Sequence, residues 1–224
     1  MIPTRRGAAA TVLAALAALV AVVAGCSIGT DSSPRGLAVS TTTTVADSAP
    51  TSGGAAAVLY YVGDGKLVPV SQSLPDRRLG TVLSALLETP EPIGGLGGLG
   101  SSIPTGTELL GLQIDGDTVA VNLSKEFENV VGPSRQQAIA QLVMTATEFP
   151  EIDSLRFLVD GKPIQVTSPT QGDTTTVGAC DYESLLPTAD EARLAALDAA
   201  AVERLNLRRN NLSQRCPTPP TARN

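Results

Sequence analysis

Hydrophobic residues are distributed along this chain in three distinct ways. Ala8 to Ala24 is apolar throughout except for Thr11, and from Ser27 to Ala57 no apolar period is sustained. From Val58 onward, alternating runs and helical stripes follow one another, the mark of strands and helices in a globular domain. Val58-Leu59-Tyr60-Tyr61-Val62 is a β-rich run, turned by Asp64-Gly65 and resumed by Leu67-Val68-Pro69-Val70. Pro69 lacks an N–H, which confines the second arm to an edge. Apolar residues at 79, 82, 83, 86 and 87 form a helical stripe that Pro90 ends. Leu109 to Ile114, Asp115-Gly116 and Asp117 to Leu123 predict a hairpin, with Val119, Val121 and Leu123 sharing one face. After Pro133, a residue suited to a first helical turn, Ile139, Leu142, Val143, Ala146 and Phe149 recur at helical spacing. Arg135, Gln136, Gln137, Gln141 and Glu148 fall on the opposite side, and Pro150 closes the helix. Leu155, Phe157 and Val159 then alternate, Asp160-Gly161 turns, and Pro163-Ile164-Gln165-Val166 returns.

The order strand, helix, hairpin, helix, hairpin predicts an α+β fold. Two helices on one face of a mostly antiparallel sheet make a two-layer sandwich with a single core.

The long apolar stretch reads as an address rather than as part of that fold. Arg5 and Arg6 precede it, and a small-residue site follows, as in a secretory signal over residues 1–25. The site Val23-Ala24-Gly25-Cys26 resembles the bacterial lipobox. That resemblance implies cleavage before Cys26 and diacylglycerol attachment to its sulfur, leaving the protein lipid-anchored on the extracytoplasmic face of the cell membrane. Residues 26–57, rich in Ser, Thr, Gly, Ala and Pro, are expected to form a tether, because they offer too little apolar surface to offset ordering. A coil of about 31 residues would span roughly 30 Å.

Composition narrows the function classes. The chain has 224 residues and a formal charge of −6, which becomes −8 once residues 1–25, with Arg5 and Arg6 and no acid, are removed. Nothing in that balance favours nucleic acid, and attachment to a membrane would rest on the lipid. There is no histidine, hence no Ser-His or Cys-His dyad and no His metal ligand. Neither a metal nor another cofactor is expected. Residues 89–107 are Gly-rich, but without the Gly-Lys-Ser/Thr ending of a phosphate loop. The segment Gly94, Gly95, Leu96, Gly97, Gly98, Leu99 and Gly100 is instead the first candidate for a partner-contact loop, since long loops in compact domains tend to be functional.

Three phrases stand out: Gly100-Ser101-Ser102-Ile103-Pro104-Thr105-Gly106-Thr107, then Val119-Ala120-Val121-Asn122-Leu123-Ser124-Lys125-Glu126-Phe127, and the stretch from Gln136 ending in Val159-Asp160-Gly161-Lys162-Pro163-Ile164. Together they resemble the GerMN domain, named for a spore-germination protein. The resemblance covers residues 58–170. It implies a compact α+β fold similar to the ring-building motifs of secretion assemblies, in envelope proteins and secreted lipoproteins, with no catalytic residues to carry over. Self-assembly is possible in such a module, but nothing in this sequence supports it.

Residues 171–224 form a C-terminal extension. Once Cys26 is lipidated, Cys180 and Cys216 remain, an even pair that predicts one disulfide closing a loop of about 37 residues, worth about 3–4 kcal/mol in the chain-entropy model. Between them Ala192, Leu194, Ala195, Leu197, Ala201, Val202 and Leu205 mark an Ala-rich helix, with Asp190 and Glu191 near its start and Arg208-Arg209 near its end.

The leading expectation is a non-catalytic binding or assembly module whose partner is another envelope protein or a cell-wall component. A small-ligand binder is the alternative, and a wall hydrolase the weakest. Hydrolysis would need a carboxylate pair, and the close doublets are Glu126/Glu128 and Asp115/Asp117, with no aromatic surroundings to raise a pKa.

Overall fold

The computed structural model describes residues 54–88, 98–194 and 197–216. The signal segment, Cys26, and the tether up to residue 53 lie outside them. Two hairpins and a parallel crossover build the core. Strands β1 (Ala55–Gly63) and β2 (Lys66–Leu74) pair antiparallel as a two-stranded sheet of their own. Asp64 and Gly65 both have positive φ, 50° and 77°, the pattern of a tight I′ hairpin turn. Pro69 sits in β2, which has no other neighbour among the described residues, so its missing N–H costs no ladder bond in a sheet interior.

Helix α1 (Leu79–Leu87) buries Leu79, Val82, Leu83, Leu86 and Leu87, the predicted stripe. The second hairpin joins β3 (Leu109–Asp115) to β4 (Thr118–Leu123). Here the turn is displaced by one residue from the Asp115-Gly116 expected: Asp115 pairs with Thr118, and Gly116, at φ 63°, takes the first corner. Gly at that corner suits the II′ turn, whereas Asp64-Gly65 and Asp160-Gly161 occupy both corners of their turns.

A short 3-10 turn (Lys125–Asn129) leads to helix α2 (Gly132–Ala146), which carries the chain over to β5 (Ser154–Val159). Strands β4 and β5 are parallel, in the register Val119↔Leu155, Val121↔Phe157 and Leu123↔Val159. Parallel neighbours need a crossover, and α2 supplies it. Those six side chains are all buried, on one face of the sheet. Strand β6 (Lys162–Ile164) returns beside β5, giving the order β3-β4-β5-β6. The α+β class is therefore as predicted. The sheet is more divided than the expectation, with the first hairpin separate and one parallel pairing at its centre.

The return strand expected through Val166 breaks after Ile164. Strands β7 (Val166–Ser168) and β8 (Gly172–Thr174) form a small hairpin, and β9 (Val177–Gly178) rejoins β5 at its start. The extension is thus not purely helical. Gly178 lies so close to the main sheet that a Cβ there would come within 2.8 Å of the Asp153 carbonyl oxygen. A 3-10 segment (Ala179–Leu185) follows, then α3 (Ala189–Leu194) and α4 (Ala199–Arg215). The Ala-rich stretch is two helices rather than one, because Asp198 starts a new one by accepting the Ala201 N–H at 2.7 Å. Thr188 and Glu191 cap α3 reciprocally, the Thr188 N–H reaching the Glu191 carboxylate at 2.7 Å and the Glu191 N–H the Thr188 hydroxyl at 3.2 Å. Cys180 and Cys216 are joined, tying the end of α4 to the 3-10 segment. No helix among the described residues is long and apolar enough to cross a membrane.

Candidate functional site

The sequence places Gln141 on the solvent side of α2, and the structure does not. From Ala138 to Ala146 the helix is buried all round, with β1 on one side and the 3-10 segment at 179–185 on another. Such surroundings override amphipathic spacing. Gln141 is fully buried and uses both ends of its amide. Its Nε2 donates to the Tyr60 carbonyl at 3.0 Å, and its Oε1 accepts the Ser102 N–H at 2.7 Å. One turn earlier, Gln137 accepts the Ser102 hydroxyl at 2.9 Å and donates to the Gly65 carbonyl at 3.3 Å. Thr145, also buried, accepts the Tyr60 N–H at 3.1 Å. These bonds clamp the end of the Gly-rich segment onto β1 and α2.

That clamp bears on the predicted partner-contact loop. Gly94, Gly95, Leu96 and Gly97 lie outside the described residues. Leu99 is buried in the core, and Gly100 exchanges two backbone hydrogen bonds with Val62, each 2.8 Å. Leu99 is therefore committed to packing rather than to a partner. Of the described part of that loop, Gly98 remains exposed.

A second buried polar centre is Asp181, beside the disulfide. Its Oδ1 accepts from Ser168 Oγ at 2.7 Å, Gln171 Nε2 at 2.7 Å and the Thr170 hydroxyl, and its Oδ2 from the Gly178 N–H at 2.8 Å. Burial works against the charge, but these four donors outweigh it and hold the carboxyl below its ordinary range. The result is a carboxylate that fastens the β7–β8 hairpin to the 3-10 segment. Its neighbour Tyr182 is fully buried with no hydrogen-bond partner for its hydroxyl.

The third centre is Arg208, on α4. Its Nη1 donates to the Thr147 carbonyl at 3.0 Å and its Nη2 to the Thr147 hydroxyl, while its Nε lies 3.5 Å from Glu148 Oε1. The same Glu148 oxygen accepts the Tyr60 hydroxyl at 2.8 Å. Burial and the Glu148 charge push the Tyr60 hydroxyl well above its ordinary pKa, so it stays protonated and donating. A cleft of about 400 Å³ opens here, walled by Val58, Tyr60, Pro150 and Leu207 and lined by Arg204, Arg208, Asn211 and Arg215. A larger groove, about 520 Å³, runs along the start of α2 past Arg135, Gln136, Gln165 and Thr167.

The acidic doublets are not brought together into a reaction centre. Asp115 is exposed and pairs with Arg156 at 3.5 Å, and Asp117 is exposed at the hairpin turn. Glu126 is held below the ordinary carboxylate range by the Ser124 hydroxyl and then by its own N–H, which is opposite to what a general acid needs. Among the described residues no His, Cys, Asp and Glu group is placed to hold a metal ion. Spacing alone missed Gln141, Asp181 and Arg208. A faint signal existed for Gln141, a polar residue amid Ile139, Ala140, Leu142 and Val143.

The family model for Germane, described as sporulation and spore germination, matches residues 51–165. The chain belongs to the Germane family. The match spans the first hairpin, the crossover and β6, and stops before the Asp181 and Arg208 centres. No protein of curated function matches the sequence. Among solved structures, the tandem GerMN domains of the sporulation protein GerM from Bacillus subtilis align at 20% identity and a TM-score of 0.46, covering 57% of this chain and 47% of that one. The first GerMN domain of the same protein aligns at 22% identity and a TM-score of 0.43, over 54% of this chain and 92% of that one. A Clostridium perfringens protein assigned as a lipoprotein aligns at 22% and 0.39, over 60% and 94%. This Germane chain thus spans about half the tandem protein's length.

Proposed function

We propose that this Germane chain is a lipid-anchored extracytoplasmic protein of the bacterial envelope, in which the domain is a non-catalytic binding or assembly module. One observation carries the non-catalytic part. Each of the three buried polar centres holds a surface segment in place: Gln141 the 101–102 strand approach, Asp181 the β7–β8 hairpin and Arg208 the last helix. Among the described residues, the hydroxyls that touch Asp181, those of Ser168 and Thr170, fasten the β7–β8 hairpin, and the acids that would have to cleave a wall polymer are solvated or committed to turns. A module that fixes its surface segments rigidly while leaving its acids in water is suited to presenting contacts. Envelope placement is supported by the lipobox-like Val23-Ala24-Gly25-Cys26 and the Ser/Thr-rich residues after it.

Two experiments test the reading. Cys26→Ala should move the full chain from the membrane fraction to the medium and abolish acyl labelling; membrane retention would overturn the anchor. Glu126→Ala with Glu128→Ala should leave any wall-remodelling phenotype intact. Loss of that phenotype with an unchanged melting temperature would favour a hydrolase.

A further inference from the structure

We propose that the cleft between β1, the end of α2 and α4 binds the free carboxylate of a short peptide bearing small apolar side chains, with Arg204 as its anchor. This deepens the binding-module reading and rests on it. In a chain whose formal charge is −6, three guanidinium groups, those of Arg204, Arg208 and Arg215, line one cleft, and among the described residues Glu148 is the one acid that lines it with them. Residues 204, 208, 211 and 215 recur at the spacing that puts them on one face of a helix. Two of the three cations are already committed: Arg208 to Thr147 and Glu148, and Arg215 to Asp153. Arg204 is half-buried and makes no hydrogen bond or ion pair among the described residues. Behind it, Arg208 is nine-tenths buried, and its Nε has no hydrogen-bond partner.

A guanidinium fork matches the two oxygens of a carboxylate, and the pairing is strong where water is partly excluded. The nearby Glu148 and Asp153 carboxylates limit the charge the cleft can accept. With Arg208 and Arg215 paired to those carboxylates, Arg204 leaves the cleft room for one negative charge. Val58, Pro150 and Leu207 supply an apolar wall, and Leu207 is 63% exposed, as a residue awaiting contact would be. Asn211 offers an amide to a peptide backbone. A volume of about 400 Å³ lies within the range of small-ligand sites.

The test is a ligand-observed NMR titration of the full chain in detergent micelles with N-acetyl-Ala-Ala, its C-terminal amide and inorganic phosphate. The acid should bind saturably with a Kd on the order of 1 mM, and the amide about tenfold more weakly. Arg204→Gln should weaken the acid about tenfold without moving the melting temperature, since Arg204 makes no hydrogen bond or ion pair among the described residues. Arg204→Lys should fall between, keeping charge but losing the fork. Arg78→Gln, at an exposed site elsewhere, should change nothing. Equal binding of acid and amide, no saturable binding, or an unchanged Arg204→Gln affinity would each overturn the proposal. Displacement of the peptide by phosphate at equal concentration would overturn its carboxylate class. Release of Cys26→Ala from membranes with a cleft that ignores the peptide would remove this site and leave the anchored-module reading standing.

Discussion

The sheet at β4–β5 and the cap formed by residues 179–216 are held by opposite means. In the sheet, Val119, Val121, Leu123, Leu155, Phe157 and Val159 bury one continuous apolar face, and no single contact is decisive. The cap is fastened by a few strong links: the Cys180–Cys216 disulfide, the Asp181 carboxylate and the Arg208 guanidinium. Apolar burial is non-directional and spreads over many atoms, whereas a buried charge with all its donors in place is costly to disturb at one atom. The sheet should therefore tolerate conservative repacking, and the cap should fail at named residues.

The largest effect should come from emptying the shared face. Phe157→Ala is expected to cost about 3–5 kcal/mol, read as a fall in denaturant midpoint for the whole domain. A loss confined to the cap would break the contrast. Replacing both Cys180 and Cys216 with Ser should cost about 3–4 kcal/mol. Here hydrogen exchange should rise in residues 179–216 first, and simultaneous loss of protection in β5 would show the two regions to be one cooperative unit.

Asp181→Asn should cost about 2–3 kcal/mol, since the carboxylate's bonds are charge-assisted. Its pH dependence has a definite sign. The folded carboxyl titrates below its ordinary value of 3.8, so its contribution is complete above that pH and is lost as pH falls through the lower folded value. Wild type should accordingly lose stability more steeply than Asp181→Asn in the acid limb below about pH 4. Parallel acid limbs would assign the Asp181 hydrogen bonds no preference for the ionised form.

Gln141→Leu strands the Tyr60 carbonyl and the Ser102 N–H and should cost about 1–3 kcal/mol, with faster exchange at Ser102 and Gly100. The smallest effect is expected at Tyr182. Its buried hydroxyl has no partner, so Tyr182→Phe should be neutral or stabilising by up to about 1 kcal/mol. A clear loss would mean that the hydroxyl does hold a bond, to a buried water for instance.

Local features were legible because local chemistry controls them. The Asp64-Gly65 and Asp160-Gly161 turns form where Gly and Asp tolerate positive φ, and the α1 stripe follows a period set by helix geometry. The disulfide followed from an even pair of cysteines. The family phrases, too, lie in the sequence, between residues 100 and 164, inside the part of the chain that the Germane model matches. What only the tertiary structure decided is everything that depends on who neighbours whom. Pairing of β4 with β5 in parallel is a choice between hairpins, and nothing inside either hairpin encodes it. The one-residue slip at Gly116 was settled by registry with the partner strand. Gln141 reads as a solvated polar residue until β1 and the 179–185 segment close over α2, and Arg208 as a dipole-compensating cation until Thr147 and Glu148 receive it. A polar side chain's role depends on whether water or protein surrounds it, and burial is a property of the packed fold rather than of the residue.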